Sequence, residues 1–157
     1  MSVAGARPGP SLKTRALRLL AQREHSRAEL ERKLAPYAET PEALAVALDA
    51  LQAKGFIDEA RVVDSVLHRR SAQWGVARVR AELQAKGLDA SAVSDAVVQL
   101  KDTEPERARA LWARKFGAPP QDLAERARQM RFLAARGFAA DVIRRVVPPA
   151  GADGGID

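Results

Sequence analysis

Apolar residues recur along this chain at a period of about fifty positions. Leu17, Val66 and Phe116 are 49 and then 50 residues apart. Two further series keep the same spacing, namely Leu34, Leu83 and Leu133, and Leu44, Val93 and Ile143. A repeat of this length is one structural unit used three times, and such units must stack because none can bury its apolar face alone. Stacked repeats present an extended surface to a partner, so the pattern favours binding over catalysis.

Inside each repeat the apolar positions follow helical spacing, and no alternating segment is long enough for a strand. Helix starts are marked by Ser11, by the pair Ser26 and Glu29 with capping-box spacing, and by Thr40 before a proline. Helix ends are marked by a cation followed by glycine and an apolar residue, in the phrases QAKGF, QAKGL and AARGF. These signals predict helices throughout, including one that begins at Thr103–Pro105 and one with Leu123, Met130 and Leu133 on its core face.

The predicted fold class is therefore all-α, with three tandem three-helix repeats in an elongated curved arrangement. We place the repeats at residues 11–57, 58–102 and 103–147. The ends, 1–10 and 148–157, are rich in Pro, Gly and Ala and have no period, so we predict a disordered N-terminal arm and a disordered tail.

Composition limits the kind of protein. The 157 residues include no cysteine, which excludes disulfides and thiolate metal sites. Only 4% are aromatic, so the core is aliphatic. The chain has neither the apolar core of a signal peptide at its start nor an apolar run long enough to span a membrane. We expect a soluble, cytoplasmic protein without membrane partners.

The net charge of +6 comes mainly from arginine, which supplies 20 of the 26 basic residues. The planar guanidinium suits phosphates and carboxylates, so polyanions or acidic protein surfaces are the expected partners. An arginine-rich codon bias with solvated helix faces is the alternative explanation.

The residues offer little to an enzyme. The two histidines, His25 and His68, have no acidic or cysteine neighbours at metal-ligand spacing. His25 precedes the Ser26 cap, where a solvated or capping role is expected. Within residues 11–147 the glycines stand singly at helix ends, so there is no phosphate-binding loop, and Asp58 and Glu59 suit a helix start. We predict no catalysis, no cofactor, no metal and no small-molecule substrate.

A cluster in the middle repeat is the first candidate contact surface. Its members are Arg69 and Arg70 at one helix end, Arg78 and Arg80 at the next helix start, and Trp74 between them. Arginines interleaved with an aromatic are typical of contacts with phosphate or single-stranded bases. The alternative is structural: Arg78 pairs with Glu82 one turn on, and Trp74 seals the turn.

In the third repeat, Arg128 and Arg131 lie opposite the predicted core face and complete the candidate set, with a solvated face as the alternative. The first repeat is different. Its basic residues, Arg15, Arg18, Arg27, Arg32 and Lys33, alternate with Glu24, Glu29 and Glu31. We interpret this mixture as ordinary surface ion pairing.

Four phrases in order resemble the RecX family of recombination regulators. They are SLKTRALRLLAQREHSRAELERKL up to Leu34, LQAKGFIDEAR at Leu51–Arg61, WGVARVRAELQAKGL at Trp74–Leu88 and RFLAARGF at Arg131–Phe138. Together they cover about residues 11–147. The resemblance implies tandem three-helix repeats, no enzymatic activity and no cofactor. It also implies that the partner is the RecA recombinase and its filament on single-stranded DNA, whose ATPase and strand-exchange activities are damped. It supplies no contact residues.

Two other functions remain open. One is a helical protein that acts directly on DNA without RecA, with the helix Val76–Lys86 entering a groove. Scattered basic charge and the lack of clustered base-reading side chains argue against it, although direct contact with single-stranded DNA is compatible with either function. The other is a helical scaffold for an unrelated acidic protein.

Overall fold

The computed structural model describes residues 9–151, and within that range the chain forms eight α-helices, one 3₁₀ turn and no strand. The helices are α1 (Leu12–Gln22), α2 (Arg27–Leu34), α3 (Pro41–Ala53), α4 (Glu59–Arg70), α5 (Val76–Ala85), α6 (Ala90–Lys115), α7 (Leu123–Ala135) and α8 (Ala140–Val146), and the 3₁₀ turn is Ala35–Tyr37. The predicted all-α class is confirmed. No helix in the described range is long and apolar enough to cross a membrane.

By its internal contacts the chain divides into two compact units, Met1–Val62 and Val63–Asp157. The first unit has an aliphatic core. Its buried members are Ala16, Leu30, Leu34, Leu44, Leu48, Leu51 and Ile57. The predicted caps are present here, because Ser11 accepts from the Thr14 amide, Ser26 and Glu29 form the capping box, and Thr40 accepts from the Ala43 amide. Leu17, a member of the first repeat series, is 37% exposed, so this repeat position lies outside the core.

The second unit has its own core, which α6, α7, α8 and the loop before α8 build. Its buried members are Ala108, Leu111, Leu133, Phe138, Val142, Ile143, Val146 and Val147. The described chain has a positive φ at Gly137, at the end of α7, as the helix-end phrase predicts. Leu123 is 78% exposed and not on the core face, because α7 turns Gln129 and Leu133 inward.

The predicted helix start at Thr103–Pro105 is wrong, since α6 runs without a break from Ala90 to Lys115. Pro105 removes one backbone N–H from the helix interior, which by itself destabilises a helix. Packing outweighs this cost, because buried residues lie on both sides of the proline, Leu100 before it and Ala108 after it. The carbonyl of Leu100 also accepts from the Arg107 guanidinium at 3.0 Å. The repeat boundaries at 57/58 and 102/103 stay predictions.

Most of the predicted arm, residues 1–8, and the predicted tail from 152 onward lie outside the described residues. Residues 148–151 differ from the disordered tail that we predict. The Pro148 carbonyl accepts from Arg126 Nε at 3.0 Å, and the Gly151 amide donates to the Pro120 carbonyl at 3.0 Å.

Candidate functional site

The turn between α4 and α5 brings three of the predicted site residues together. The guanidinium carbons of Arg70 and Arg78 lie 4.4 Å and 4.1 Å from the centre of the Trp74 ring. Both distances are within the range of cation–π attraction. Two of the four predicted arginines therefore contact the half-buried indole, and they form with it what we call the Trp74 cluster.

The sequence analysis offered an ion pair between Arg78 and Glu82 as the alternative role for Arg78. In the structure Glu82 faces Arg70 instead, and Arg70 Nε lies 3.6 Å from Glu82 Oε1. Arg78 donates from Nη1 to the Ala135 carbonyl at 3.3 Å, at the end of α7. Both guanidiniums thus hold helices together while they cover Trp74. The indole is accordingly a partly occupied stacking surface.

Backbone hydrogen bonds dock the same turn on the end of α7. The Gly75 amide donates to the Arg136 carbonyl at 2.7 Å, and the Ala77 amide donates to the Gly137 carbonyl at 3.2 Å. A Cβ at position 75 would lie 2.4 Å from the Gly137 backbone, so only glycine allows this approach. The start of α5 is therefore fixed against the α7–α8 loop.

Glu104 in the middle of α6 anchors this arrangement, and no sequence pattern pointed to it. Its side chain is only 3% exposed. Oε2 accepts from the Val76 amide at 2.6 Å and Oε1 from the Ala139 amide at 3.1 Å. Neither Gly75 nor Ala139, the N-cap residues of α5 and α8, can cap with its own side chain. One carboxylate supplies both caps and complements both positive helix ends.

Arg107, one turn further along α6, holds the turn from the other side. Its Nη1 donates to the Ser71 and Trp74 carbonyls, both at 2.7 Å, and its Nη2 donates to Leu100. Burial lowers the pKa of this guanidinium from its usual value, and the nearby Glu104 charge partly offsets the effect. Sequence reasoning missed Arg107 because its partners are backbone carbonyls 33 and 36 residues away.

A second basic surface, which includes Gln73 of this turn, surrounds the ring of Phe132. We call it the Phe132 pocket; it has a volume of about 370 Å³. Its lining residues are Gln73, Leu111, Arg114, Lys115, Phe132 and Arg136. Lys115 Nζ and Arg136 Cζ lie 5.4 Å and 5.0 Å from the Phe132 ring centre. Arg114 is tied down by a 3.2 Å hydrogen bond to the Ala72 carbonyl. Of these cations only Arg136 had a sequence signal, as a helix-end residue.

The other four predicted site residues are not part of the Trp74 cluster. Arg69 is exposed at the end of α4, and Arg128 and Arg131 are exposed on α7. None of these three is linked to the cluster by a hydrogen bond, ion pair or ring contact among residues 9–151. Arg80 lines a groove of about 640 Å³ together with Lys101 and Arg145.

The two histidines lie in different surroundings. Of the solvated or capping role expected for His25, the solvated one is wrong, because the residue is 1% exposed and its imidazole joins Arg23 to Lys33. Nδ1 lies 3.0 Å from the Arg23 carbonyl, and Nε2 lies 3.1 Å from Lys33 Nζ. Burial lowers the pKa of His25, which keeps the ring neutral and able to accept from the lysine. His68 is exposed. Within residues 9–151 no three acidic or histidine side chains are grouped as metal ligands.

The sequence of this chain is similar to those of known proteins. The family model described as RecX, third three-helix domain, matches residues 102–147. The chain is 57% identical to the regulatory protein RecX of Leptothrix cholodnii, and the alignment covers 92% of each chain. It is 46% identical to the regulatory protein RecX of Ralstonia nicotianae, over 94% of this chain and 91% of the relative.

Solved structures agree on the fold. A crystal structure of RecX from Lactobacillus salivarius matches with a TM-score of 0.71 at 19% identity, over 86% of this chain and 91% of the other. A second crystal structure of regulatory protein RecX matches with a TM-score of 0.69 at 20% identity, over 86% of this chain and 70% of the other.

Proposed function

The chain belongs to the RecX family, and from this premise we propose that it binds the RecA recombinase and the RecA filament on single-stranded DNA. Binding mainly inhibits the filament's ATPase and strand-exchange activities in recombination and DNA repair. The observation that carries the proposal is the 57% identity to a regulatory protein RecX over 92% of both chains. We further propose that the protein works in the cytoplasm without catalysis or a cofactor.

The basic surfaces of the second unit support a polyanionic partner. Arg69, Arg128 and Arg131 are exposed and hold no carboxylate among the described residues. Arg114, Lys115 and Arg136 surround the Phe132 pocket without an acidic neighbour in its lining. A filament on DNA combines phosphates with acidic protein surfaces, and guanidinium groups bind both through paired hydrogen bonds.

We propose that the contacts are individually weak and spread over neighbouring filament subunits. A ligand that touches several subunits at once gains apparent affinity from effective concentration, without any single strong contact. The distribution of the basic groups over α4, α6 and α7 suits this mode.

The direct test measures binding to RecA, with and without single-stranded DNA, and the rate of DNA-dependent ATP hydrolysis by RecA. We expect co-sedimentation with the filament and a lower ATPase rate as the protein is added. A failure to bind RecA in either state contradicts the proposal. A protein that acts on DNA alone would lose affinity steeply with salt and would not need RecA.

The structure decides which variants are informative. Arg70 and Arg78 contact Trp74 and neighbouring helices, so we expect their replacement to disturb folding as well as binding, and the exposed arginines are the better targets. We expect R69Q combined with R128Q and R131Q to weaken ATPase inhibition while the protein stays folded. The matched control removes three other exposed arginines of the same unit, R109Q with R144Q and R145Q. Equal inhibition by the two variants would exclude these three arginines as contacts.

A further inference from the structure

The first unit contains a basic surface pocket beside an exposed aromatic ring. It lies between α1, the end of α2 and the 3₁₀ turn, and it has a volume of about 270 Å³. Its lining residues are Arg15, Arg18, Leu19, Lys33, Leu34 and Tyr37. We call it the Tyr37 pocket. Three of its six lining residues are cations and none is acidic, which is an unusual balance in a unit whose charges alternate in sequence.

The structure separates the charges that the sequence interleaves. Arg23, Arg27 and Arg61 each hold a carboxylate, at 2.9 Å from Glu29, 3.1 Å from Glu31 and 3.0 Å from Glu24 respectively. The predicted surface ion pairing is therefore present at these three arginines. It does not extend to Arg15, Arg18 and Lys33, which hold no carboxylate among residues 9–151. The nearby acids Glu31 and Glu39 line a different cavity.

Two of the three cations are held in place. Lys33 Nζ lies 3.1 Å from Nε2 of the buried His25, and the neutral ring accepts one of the three ammonium hydrogens. The other two hydrogens remain available on the exposed side of the lysine. Arg15 is fixed by its guanidinium carbon, which lies 3.8 Å from the centre of the Tyr37 ring. Ordered cations lose less conformational entropy when they bind an anion.

Tyr37 is 55% exposed even with Arg15 against it. More than half of this large aromatic residue stays in water, so it adds less to the core than a buried ring would. Aromatic rings and stacked guanidiniums beside a basic surface are what single-stranded nucleic acids bind, since every base has a face that stacks and every nucleotide carries a phosphate.

We propose that the Tyr37 pocket binds single-stranded nucleic acid. A base stacks on Tyr37 and Arg15, and the adjacent phosphate contacts Arg18 and Lys33. The site needs no RecA, so it goes beyond the proposed function and stands or falls separately from it. A protein with this site contacts the strand with its first unit.

The test is fluorescence anisotropy of a labelled oligothymidylate with the full chain and no RecA. A second oligonucleotide of the same length, with abasic sites in place of the bases, keeps the phosphates and removes stacking. Wild type should bind the thymidylate at least about fivefold more tightly than the abasic strand. Y37A should lose this preference, whereas Y37F, which keeps the ring, should retain it. Inorganic phosphate as competitor measures how much binding the anion alone explains.

The charge contribution has a matched pair on one helix. Arg18 and Lys13 are both exposed residues of α1 without a carboxylate partner in the described range, but only Arg18 lines the pocket. R18Q should weaken binding and reduce the slope of log affinity against log salt by about one, and K13Q should change both much less. Absence of wild-type binding, an unaltered base preference in Y37A, or equal effects of R18Q and K13Q would each overturn the proposal. ATPase inhibition of RecA is measured separately, so its outcome decides the proposed function alone.

Discussion

Arginine is used differently in the two compact units. In the second unit Arg78, Arg107, Arg114 and Arg126 donate to backbone carbonyls and hold no carboxylate. In the first unit the anchored arginines each hold a carboxylate as well. An arginine bound to a carbonyl keeps its full positive charge, whereas one bound to a carboxylate is neutralised. Apart from Arg70 and Arg145, which face Glu82 and Asp141, the anchored arginines of the second unit therefore stay cationic beside its exposed arginines. In the first unit the cations left out of ion pairs line the Tyr37 pocket.

Because of this difference, an arginine-rich composition does not show which arginines contact a partner. Arg107 has the most backbone partners of the second-unit arginines described above, and it is half-buried; its loss should affect folding. Arg18 makes no such contact in the described range, and its loss should affect binding. Substitutions should therefore separate the two kinds of charged residue, with large effects on stability for the buried ones and small effects for the exposed ones.

The largest effect should come from E104A, which leaves the Val76 and Ala139 amides without their acceptors in a buried site. Two lost caps on two helices should lower the free energy of unfolding by about 2–4 kcal/mol. Urea unfolding followed by circular dichroism measures it. The control is E106A, at an exposed position on the same helix, which should change stability by less than about 0.5 kcal/mol. Similar midpoints for the two variants would show that Glu104 does not anchor the unit.

The second effect should come from R107A, which removes charge-assisted hydrogen bonds to three carbonyls. We expect a loss of about 2 kcal/mol in the free energy of unfolding, and R107K should recover only part of it because lysine lacks the planar fork. R109A, two positions on and exposed, serves as the control. If R109A is as destabilising as R107A, the carbonyl contacts contribute nothing specific.

The third prediction concerns pH and the first unit. The pKa of His25 is lowered by burial, and by the positive charges of Arg23 and Lys33, whereas unfolding returns it to about 6.5. Between the lowered pKa and 6.5 the unfolded chain binds more protons than the folded chain, so stability rises with pH in that window. His25 therefore contributes fully above pH 6.5, and its contribution falls as the pH drops towards the lowered pKa.

Urea midpoints measured between pH 8 and pH 5 test this prediction. H25Q should flatten the decline on the acid side of pH 6.5, and H68Q, at an exposed position, should leave the wild-type profile unchanged. Two results would contradict the assignment of a neutral buried ring. One is a wild-type urea midpoint that stays constant as the pH drops from 6.5 to 5, and the other is that the H25Q and H68Q profiles coincide.

The smallest effect on stability should come from the exposed cations. R18Q and R69Q should each shift the free energy of unfolding by less than about 0.5 kcal/mol, since surface charges without partners add little to folding. Their effects should appear in binding instead, on the oligonucleotide for R18Q and on RecA for R69Q. Destabilisation as large as that of R107A would place either residue among the structural arginines.

Much of the local structure could be predicted. The capping box at Ser26 and Glu29 and the caps at Ser11 and Thr40 involve residues three positions apart, so the sequence alone reveals them. The helix start predicted at Thr103–Pro105 is wrong because a threonine shortly before a proline is only a local signal for a helix start, and packing on both sides of Pro105 overrode it. The prediction that Leu123 lies on the core face is wrong for another reason. Helical spacing shows which residues share a face, but packing against neighbouring helices decides which face is buried.

The candidate site was predictable only in part. The contact of Arg70 and Arg78 with Trp74 followed from arginines placed on either side of one turn. Glu104, Arg107 and the Phe132 pocket gave no signal, because each depends on groups brought together from different helices. The Tyr37 pocket was hidden for a related reason: in sequence its cations alternate with acids, and only the fold shows which cations those acids neutralise.

By itself the sequence determined the helices, their caps and glycine-marked ends, the aliphatic core and membership of the RecX family. These follow from spacings of three or four residues and from similarity over nearly the whole chain. Only the tertiary structure decided which charges serve the fold and which face outward. The two amides that Glu104 caps are 28 and 35 residues away, and a charge satisfied over such a distance has no local pattern.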